Sequence, residues 1–361
     1  MALKLGLRRW EGLFDPAACA KISNCRIGEA SSPGPSRRDR TQTLDDVLLV
    51  EPKTAALQSA IYAQFVRWLG ETLSEGAQQS VFRHPALLVQ VAKSYASFLY
   101  SSGRSLYQLR HLILTLQREF VETKLYTSVL WDMVSRWELL EPTQHRTPVP
   151  KMIFRALVST ALLWGWERTA GIIAIAFCGI TRPGEPLRAL RKHVVFPGDA
   201  LEPDRESIYL IIDRPKSRKR GTGRVQHSSI RDREFFDFLF SVFGSIEADQ
   251  PIFNASPSAF RRRWDALLKA LFIPKSAGLT PGGLRAGGCV RAFQESMDIS
   301  LLMWRMRVRH QSTLESYLQE VTASSVIPDL EPRSRKAIAE AANVLPFLLS
   351  RFPRCRTAKG P

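Results

Sequence analysis

The sequence predicts a mainly α-helical protein with a small antiparallel β section, divided into a helical first half and a mixed second half. Apolar residues recur at three- and four-residue intervals over most of the chain, which is typical of amphipathic helices. Short apolar runs bounded by turn residues, typical of strands, occur only between about 193 and 229. Three prolines in residues 141–150 interrupt helix formation and separate the two halves. The 361 residues, 45% of them hydrophobic, suffice for two domains with their own cores.

The first half begins with charge and turn residues and continues as helices. Residues 26–45 contain little that could be buried, so we expect residues 1–49 to form a disordered basic leader. Two apolar stripes follow and indicate two helices that face a core: Leu57, Ile61, Phe65 and Leu69, then Leu106, Leu109, Ile113, Leu116 and Phe120. His84-Pro85 starts another helix that reaches Tyr100, and Val129 to Trp137 forms a fourth. We therefore expect a four-helix domain over 50–140.

The second half follows a stiff linker, residues 141–150. Its first two helices, about 151–166 and 169–179, are apolar nearly all round and should be interior. The predicted strands are 193–196, 207–212 and 224–229, and the later predicted helices are 231–243, 257–271, 284–296, 298–305, 311–321 and 334–350. We expect a domain over 151–325, followed by a C-terminal helix and basic tail over 326–361. That last helix packs either on its own domain or on a neighbouring protomer.

The charge balance points to a polyanionic partner. There are 51 Lys and Arg residues against 34 Asp and Glu, a net charge of +17. Nucleic acid is favoured over an acidic membrane surface because no lipid signal accompanies the charge. The longest apolar run, 170–180, is shorter than the roughly 20 residues of a membrane-spanning helix, and the first residues do not form a secretory signal. Five scattered cysteines without metal-ligand spacing favour a reducing compartment and no bound metal or cofactor.

Four residues of the second half have the chemistry of a metal-free enzyme that cleaves DNA. They are Arg182 in Thr-Arg-Pro-Gly-Glu, Lys216 in a basic loop, Arg285 in Leu-Arg-Ala-Gly-Gly, and Tyr317. Arginine binds phosphate oxygens through a planar fork, lysine can protonate a leaving oxygen, and a tyrosine phenol can attack phosphorus. Arg285 falls at the start of a predicted helix, where the helix dipole repels cations, so an anion is expected beside it.

The order and contexts of these residues resemble the tyrosine recombinase, or phage integrase, family. The resemblance is strongest over 150–322, and the Arg-Pro-Gly-Glu and Leu-Arg-x-Gly-Gly wording is similar to members of mobile-element type, from retroelements or transposons. It implies a helical core-binding domain that clamps DNA and an α+β catalytic domain. The implied activity is site-specific DNA cleavage and rejoining through a 3′-phosphotyrosyl intermediate.

The resemblance also implies the site residues and the partners. Arg182 and Arg285 would contact the scissile phosphate, Tyr317 would be the nucleophile, and Lys216 the general acid, with Lys219 as the other choice. The implied partners are double-stranded DNA and further copies of the chain, from dimer to tetramer, assembled on DNA. The implied location is the nucleus in a eukaryote and the cytoplasm otherwise.

One supporting residue and several candidate DNA contacts complete this assignment, and each also fits a purely structural interpretation. Glu185 lies three residues after Arg182, so one helical turn would place its carboxylate beside the guanidinium; the pair also fits a simple helix cap. Further candidate DNA contacts lie in the basic loop, which also fits a solvated loop: Arg218, Lys219, Arg220 and Arg224. Tyr317, 32 residues after Arg285, also fits a core position of an amphipathic helix.

Two positions depart from the family pattern. Gly282 stands where the family has a histidine, and Val308, preceded by Arg307, stands where it has a histidine or tryptophan. Each loss would lower the rate by a factor on the order of 100, so a catalytically impaired DNA-binding relic of a recombinase is the alternative function. A metal-dependent nuclease is disfavoured because no acidic cluster occurs near the β section. Relaxation of supercoiled DNA would be a side activity of the same chemistry.

Overall fold

A computed structural model describes residues 50–142, 146–200, 207–213, 215 and 225–353. The predicted leader lies outside these residues. Contacts between Cα atoms divide the chain into two compact units, Met1–Leu57 and Gln58–Pro361. Apart from the start of the first helix, the elements described below belong to the second unit. They are mainly α-helices with one three-stranded antiparallel sheet, which confirms the predicted fold class. The predicted division near 141–150 stays a prediction.

The first half contains one more helix than the sequence predicted. The helices are α1 (Pro52–Thr72), α2 (Glu75–Arg83), α3 (Pro85–Ser101), α4 (Leu106–Glu119) and α5 (Ser128–Leu140). The missed helix, α2, buries only Val81, so its sequence shows no apolar stripe. It ends at His84, which is extended (φ −119°, ψ 102°) because the following Pro85 disfavours the helical conformation.

The apolar stripes of α1 and α4 are buried, as predicted. Phe65 and Leu69 of α1 and Leu109 of α4 are fully inaccessible to solvent. Phe65 meets Tyr95 of α3 edge to face, with ring centroids 5.2 Å apart. Helices α1 and α3 therefore pack on each other, and α4 contacts α3.

The second half is built around two buried helices, α6 (Lys151–Leu163) and α7 (Glu167–Cys178), as predicted. They contact each other through stacked rings of Phe154 and Phe177, 4.0 Å between centroids. The last helix, α14 (Pro332–Ser350), packs on α6 and buries Ile338, Ala342 and Leu345. Of the two predicted positions for this helix, the structure shows packing on its own chain.

The sheet is a short meander: β1 (Val194–Val195), β2 (Ile208–Ile212) and β3 (Gln226–Ile230) pair in that order. Val194 pairs with Leu210, and Leu210 pairs with Ser228. Alternate residues of β2 are buried, which places one face of the sheet on the core. The Ser228 hydroxyl donates to the carbonyl of Gly179, so β3 contacts the end of α7.

The remaining helices surround this core. They are α8 (Phe236–Phe243), α9 (Pro257–Ala270), α10 (Gly283–Ser296), α11 (Ile299–Met306), α12 (Gln311–Glu315) and α13 (Glu320–Ser325). The predicted helix 311–321 is wrong as one element, because Tyr317 lies in a turn between α12 and α13. The Tyr317 amide bonds to the Leu314 carbonyl and the Ser316 hydroxyl to the Thr313 carbonyl, which tightens the chain out of the helix. None of the described helices combines the length and apolarity needed to cross a bilayer.

Candidate functional site

The sharp turn after α7 positions Arg182 and Glu185. Helix α7 ends at Cys178, and Ile180 then adopts φ 50°, a left-handed conformation that is rare for a β-branched residue. Arg182 follows, with its amide 2.9 Å from one Glu185 carboxylate oxygen and its Nη1 3.1 Å from the other. The i,i+3 pair expected from the sequence is present, and the Arg182 side chain remains 38% exposed.

Helix α10 carries Arg285 into the interior because its glycines permit close packing. A Cβ on Gly287 would overlap the Val149 carbonyl oxygen, and one on Gly288 would overlap the Phe177 carbonyl oxygen. A larger residue at 287 would push α10 away from the segment before α6, and one at 288 would push it away from α7. The backbone glycines thereby bring Arg285, on the same helix, to the region where α7 ends.

Arg285 is a buried guanidinium with incomplete hydrogen bonding. Only 2% of the residue is exposed, and its Nη2 donates to the Met306 carbonyl at the end of α11, at 2.6 Å. Its Nε and Nη1 have no hydrogen-bond partner in the part of the chain that the structure describes. Buried donors are nearly always paired, so these two N–H groups are available to an acceptor, and charged donors bind anionic oxygens most strongly.

Arg307 is a third arginine at the site, and sequence reasoning treated it only as a departure. It ends α11 with φ 58°, where glycine is favoured. Its Nη2 lies 2.7 Å from the Glu185 carboxylate, and its side chain is 9% exposed. No local motif marked it in the sequence, because its positive φ and its contact with Glu185 are visible only in the structure.

The charges of these groups shift one another. Burial alone would raise the pKa of Glu185, but Arg307 and then Arg182 outweigh it, and the pKa lies below its usual value. Burial, reinforced by repulsion from Arg182 and Arg307, lowers the pKa of Arg285 to about 10. The Arg285 shift therefore owes most to burial, and the Glu185 shift owes its direction to the neighbouring arginines.

Tyr317 lies next to Arg285. The guanidinium carbon of Arg285 is 5.4 Å from the centroid of the Tyr317 ring, within cation–π range. The ring is partly buried and packs against a small apolar cluster that includes Leu314 and Met306. Its hydroxyl has no hydrogen bond to any described residue. The phenol is therefore not a fully buried core group, and no described side chain holds its hydroxyl by a hydrogen bond.

A single cavity of about 610 Å³ brings these residues together. Its lining consists of Arg146, Arg182, Pro183, Gly184, Pro281, Gly282, Arg285, Ala286, Thr313, Ser316 and Tyr317. Three of the four predicted catalytic residues face this space. Three guanidiniums, donors without a partner among the described residues, and a phenol at one cavity can bind a phosphate and present an oxygen nucleophile to it.

Gly282 and Val308, the two positions that depart from the family pattern, have different surroundings. Gly282 lies on the cavity wall with the Arg146 guanidinium over it. Val308 packs against the apolar cluster beside Tyr317 and offers no polar group to the site. Arg146 was not recognised from the sequence, since it lies in the predicted linker with no motif around it.

The remaining predicted residues lie outside the described part of the chain. These are Lys216 and the candidate DNA contacts Arg218, Lys219, Arg220 and Arg224. Lys216 therefore stays a prediction. Within the described residues, no group of three or more His, Cys, Asp or Glu side chains is placed to hold a metal ion.

Comparisons with known proteins gave similarities to solved structures alone, 19 chains in all. No protein-family model and no curated protein matches the sequence. The crystal structure of XerA recombinase is similar in fold at 13% sequence identity and a TM-score of 0.38, covering 76% of this chain and 99% of that chain.

Proposed function

We propose that this protein cleaves and rejoins DNA strands through a 3′-phosphotyrosyl intermediate, as a tyrosine recombinase of a mobile element. The observation that carries the proposal is the cavity shared by Arg182, Arg285 and Tyr317, in which buried N–H groups of Arg285 have no partner among the described residues. The sequence resemblance supplies the same three residues independently. The net charge of +17 supports a DNA substrate.

The phosphate occupies the cavity between the two guanidiniums. Nε and Nη1 of Arg285 donate to its non-bridging oxygens, and Arg182, partly exposed and held by Glu185, contacts it from the open side. These donors stabilise the charge that develops on the five-coordinate transition state, an effect of about 3 kcal/mol for each donor. The negative charge of the phosphate then offsets the cost of burying the charged Arg285 side chain.

The chemical step exchanges one phosphodiester bond for another. The Tyr317 oxygen attacks phosphorus while the bond from phosphorus to the 5′ oxygen breaks, and the phenol proton passes to solvent because Gly282 supplies no base. Lys216, placed by the sequence resemblance, protonates the departing 5′ oxygen. A 5′ hydroxyl of a second strand reverses the step without ATP or a metal ion.

Strand exchange between two DNA sites requires several protomers, so we propose that DNA induces a dimer to tetramer of this chain. Sedimentation velocity with and without duplex tests this. A protein that remains monomeric on saturating DNA contradicts it.

The second candidate function is a DNA-binding relic that no longer cuts. Gly282 has no side chain and Val308 packs in an apolar cluster, so two family positions offer no hydrogen-bonding side chain. This candidate shares the phosphate site and lacks the covalent step.

A nicked-substrate experiment separates the two functions. The protein is incubated in EDTA with a pool of nicked duplexes of randomised sequence, and covalent protein–DNA adducts are detected on a denaturing gel. The enzyme gives an adduct that Tyr317→Phe abolishes while duplex binding persists. Tyr107→Phe is the matched control, since this tyrosine lies on α4, is 50% exposed and does not line the cavity.

Each other outcome has a definite meaning. Duplex binding without an adduct in the wild-type protein identifies the relic. An adduct that survives Tyr317→Phe refutes the assignment of the nucleophile, and an adduct that EDTA abolishes refutes the metal-free mechanism.

A further inference from the structure

Arg146, in the segment before α6, extends its side chain over Gly282. A Cβ built on Gly282 would lie 2.9 Å from Cδ and 3.1 Å from Cζ of Arg146, and closer still to Nη1. These are the three atoms nearest to such a Cβ. The space that a side chain at position 282 would occupy is therefore filled by the Arg146 guanidinium.

The backbone at Gly282 does not itself require glycine. Its φ of −62° and ψ of −26° are ordinary helical values that any L-residue adopts. The next residue, Gly283, accepts a 3.0 Å hydrogen bond from the Val149 amide, which ties the segment carrying Arg146 to the start of α10. Glycine at 282 is thus explained by the room that it leaves for Arg146.

Arg146 adds positive charge where the charge is already in excess. It lines the same cavity as Arg182 and Arg285 and has no hydrogen bond or ion pair to another described residue. A further cation beside two guanidiniums is unfavourable in the free protein. A bound anion reverses the sign of that interaction.

We propose that Arg146 is a third phosphate-binding residue of the site and substitutes, from a different segment, for the side chain that position 282 lacks. This inference rests on the proposed function. The guanidinium donates N–H groups to a non-bridging phosphate oxygen and is not a proton acceptor, since it stays protonated. It strengthens phosphate binding and leaves the attacking phenol without a base.

A double-mutant cycle tests the pairing of Arg146 with Gly282. Affinity for inorganic phosphate is measured by calorimetry for the wild-type protein, Arg146→Ala, Gly282→Ala and the double variant. Arg146→Ala should weaken binding about tenfold, as expected for one charge-assisted contact. Gly282→Ala should weaken it similarly because the new methyl group displaces the guanidinium, and it should have no effect in the Arg146→Ala background.

The matched control is Gly76→Ala in α2, where an added Cβ meets no atom within 4 Å. It should leave phosphate affinity unchanged, and thermal unfolding of every variant verifies folding. Unchanged affinity in Arg146→Ala, or independent and additive losses in the cycle, overturns the inference.

Adduct formation by the same four proteins separates this inference from the proposed function. A wild-type adduct that Arg146→Ala forms at the wild-type rate, with unchanged phosphate affinity, refutes the role of Arg146 alone. Phosphate binding that follows the predicted cycle without any adduct supports Arg146 and refutes the cleavage chemistry. Absence of both phosphate binding and an adduct in the wild-type protein refutes both.

Discussion

Glu185 is the carboxylate on which the arginines of the site depend, and replacing it with glutamine should destabilise the free protein. Its side chain is 3% exposed and lies 2.7 Å from Arg307 and 3.1 Å from Arg182. At an effective dielectric constant of about 20, unit charges about 4 Å apart attract by about 4 kcal/mol. The contribution of Arg182 is screened because that side chain is 38% exposed. Relief of carboxylate burial offsets part of the loss, which leaves about 3 kcal/mol.

Urea denaturation followed by circular dichroism, in buffer free of phosphate and sulfate, measures this loss. Glu340→Gln is the matched control, because its ion pair with Lys336 joins side chains 67% and 78% exposed and should contribute less than about 0.5 kcal/mol. Phosphate at 100 times its dissociation constant should raise the free energy of unfolding of any of these proteins that binds it by about 2.7 kcal/mol. A Glu185→Gln protein as stable as wild type without anions would refute the reasoning.

The pH dependence of stability supplies an independent check on Glu185. Its folded pKa lies below the usual 4.5, so the carboxylate stabilises the folded state fully above pH 4.5. That contribution is lost as the pH falls through the lower folded pKa. The stability difference between wild type and Glu185→Gln should therefore shrink below pH 4.5, and a difference that grows there would contradict the assignment.

Two further predictions concern Arg285 and the helix that carries it. Arg285→Met should raise the free energy of unfolding of the anion-free protein by about 1 to 3 kcal/mol, because it removes a buried cation whose Nε and Nη1 have no partner among the described residues. Calorimetry should show that this variant no longer binds phosphate. A variant less stable than the wild-type protein contradicts the prediction. Gly288→Ala should lower the free energy of unfolding, measured with urea, by about 2 to 3 kcal/mol, because its Cβ would overlap the Phe177 carbonyl oxygen. Gly70→Ala is the control and should not lower it, because a Cβ there meets no atom within 4 Å. Equal stability of the two variants refutes the packing argument.

The fold class and most helix positions could be predicted because periodic apolar residues report directly on burial. Examples are the stripe through Phe65 and Leu69 and helix α7, which is apolar from Ala170 to its end. Helix α2 was missed because one buried residue, Val81, leaves no period to detect. The region of Tyr317 was predicted as one helix because Leu314 and Leu318 have helical spacing, and side-chain hydrogen bonds from serine to the backbone ended it.

Some residues of the candidate site could be predicted from the sequence and others could not. Arg182, Arg285 and Tyr317 carry local motifs or a characteristic order, so their common cavity could be anticipated. Arg146 and Arg307 carry none, because their roles depend on contacts between segments that are remote in sequence. Sequence reasoning read Gly282 as a loss, whereas its neighbour in space is a guanidinium.

The balance of charge shows what the site requires of its ligand. Arg146, Arg182, Arg285 and Arg307 stand against one carboxylate, Glu185, so four positive charges and one negative leave a formal charge of +3. In the free protein this excess opposes folding, and the apolar core of α6, α7 and α14 must offset it. The proposed phosphate, with one or two negative charges, would lower this excess and pair the open donors of Arg285. Under the proposed function, stability and phosphate binding make opposite demands on Arg285, because the buried guanidinium that would bind the anion leaves two donors without a partner among the described residues in the free protein.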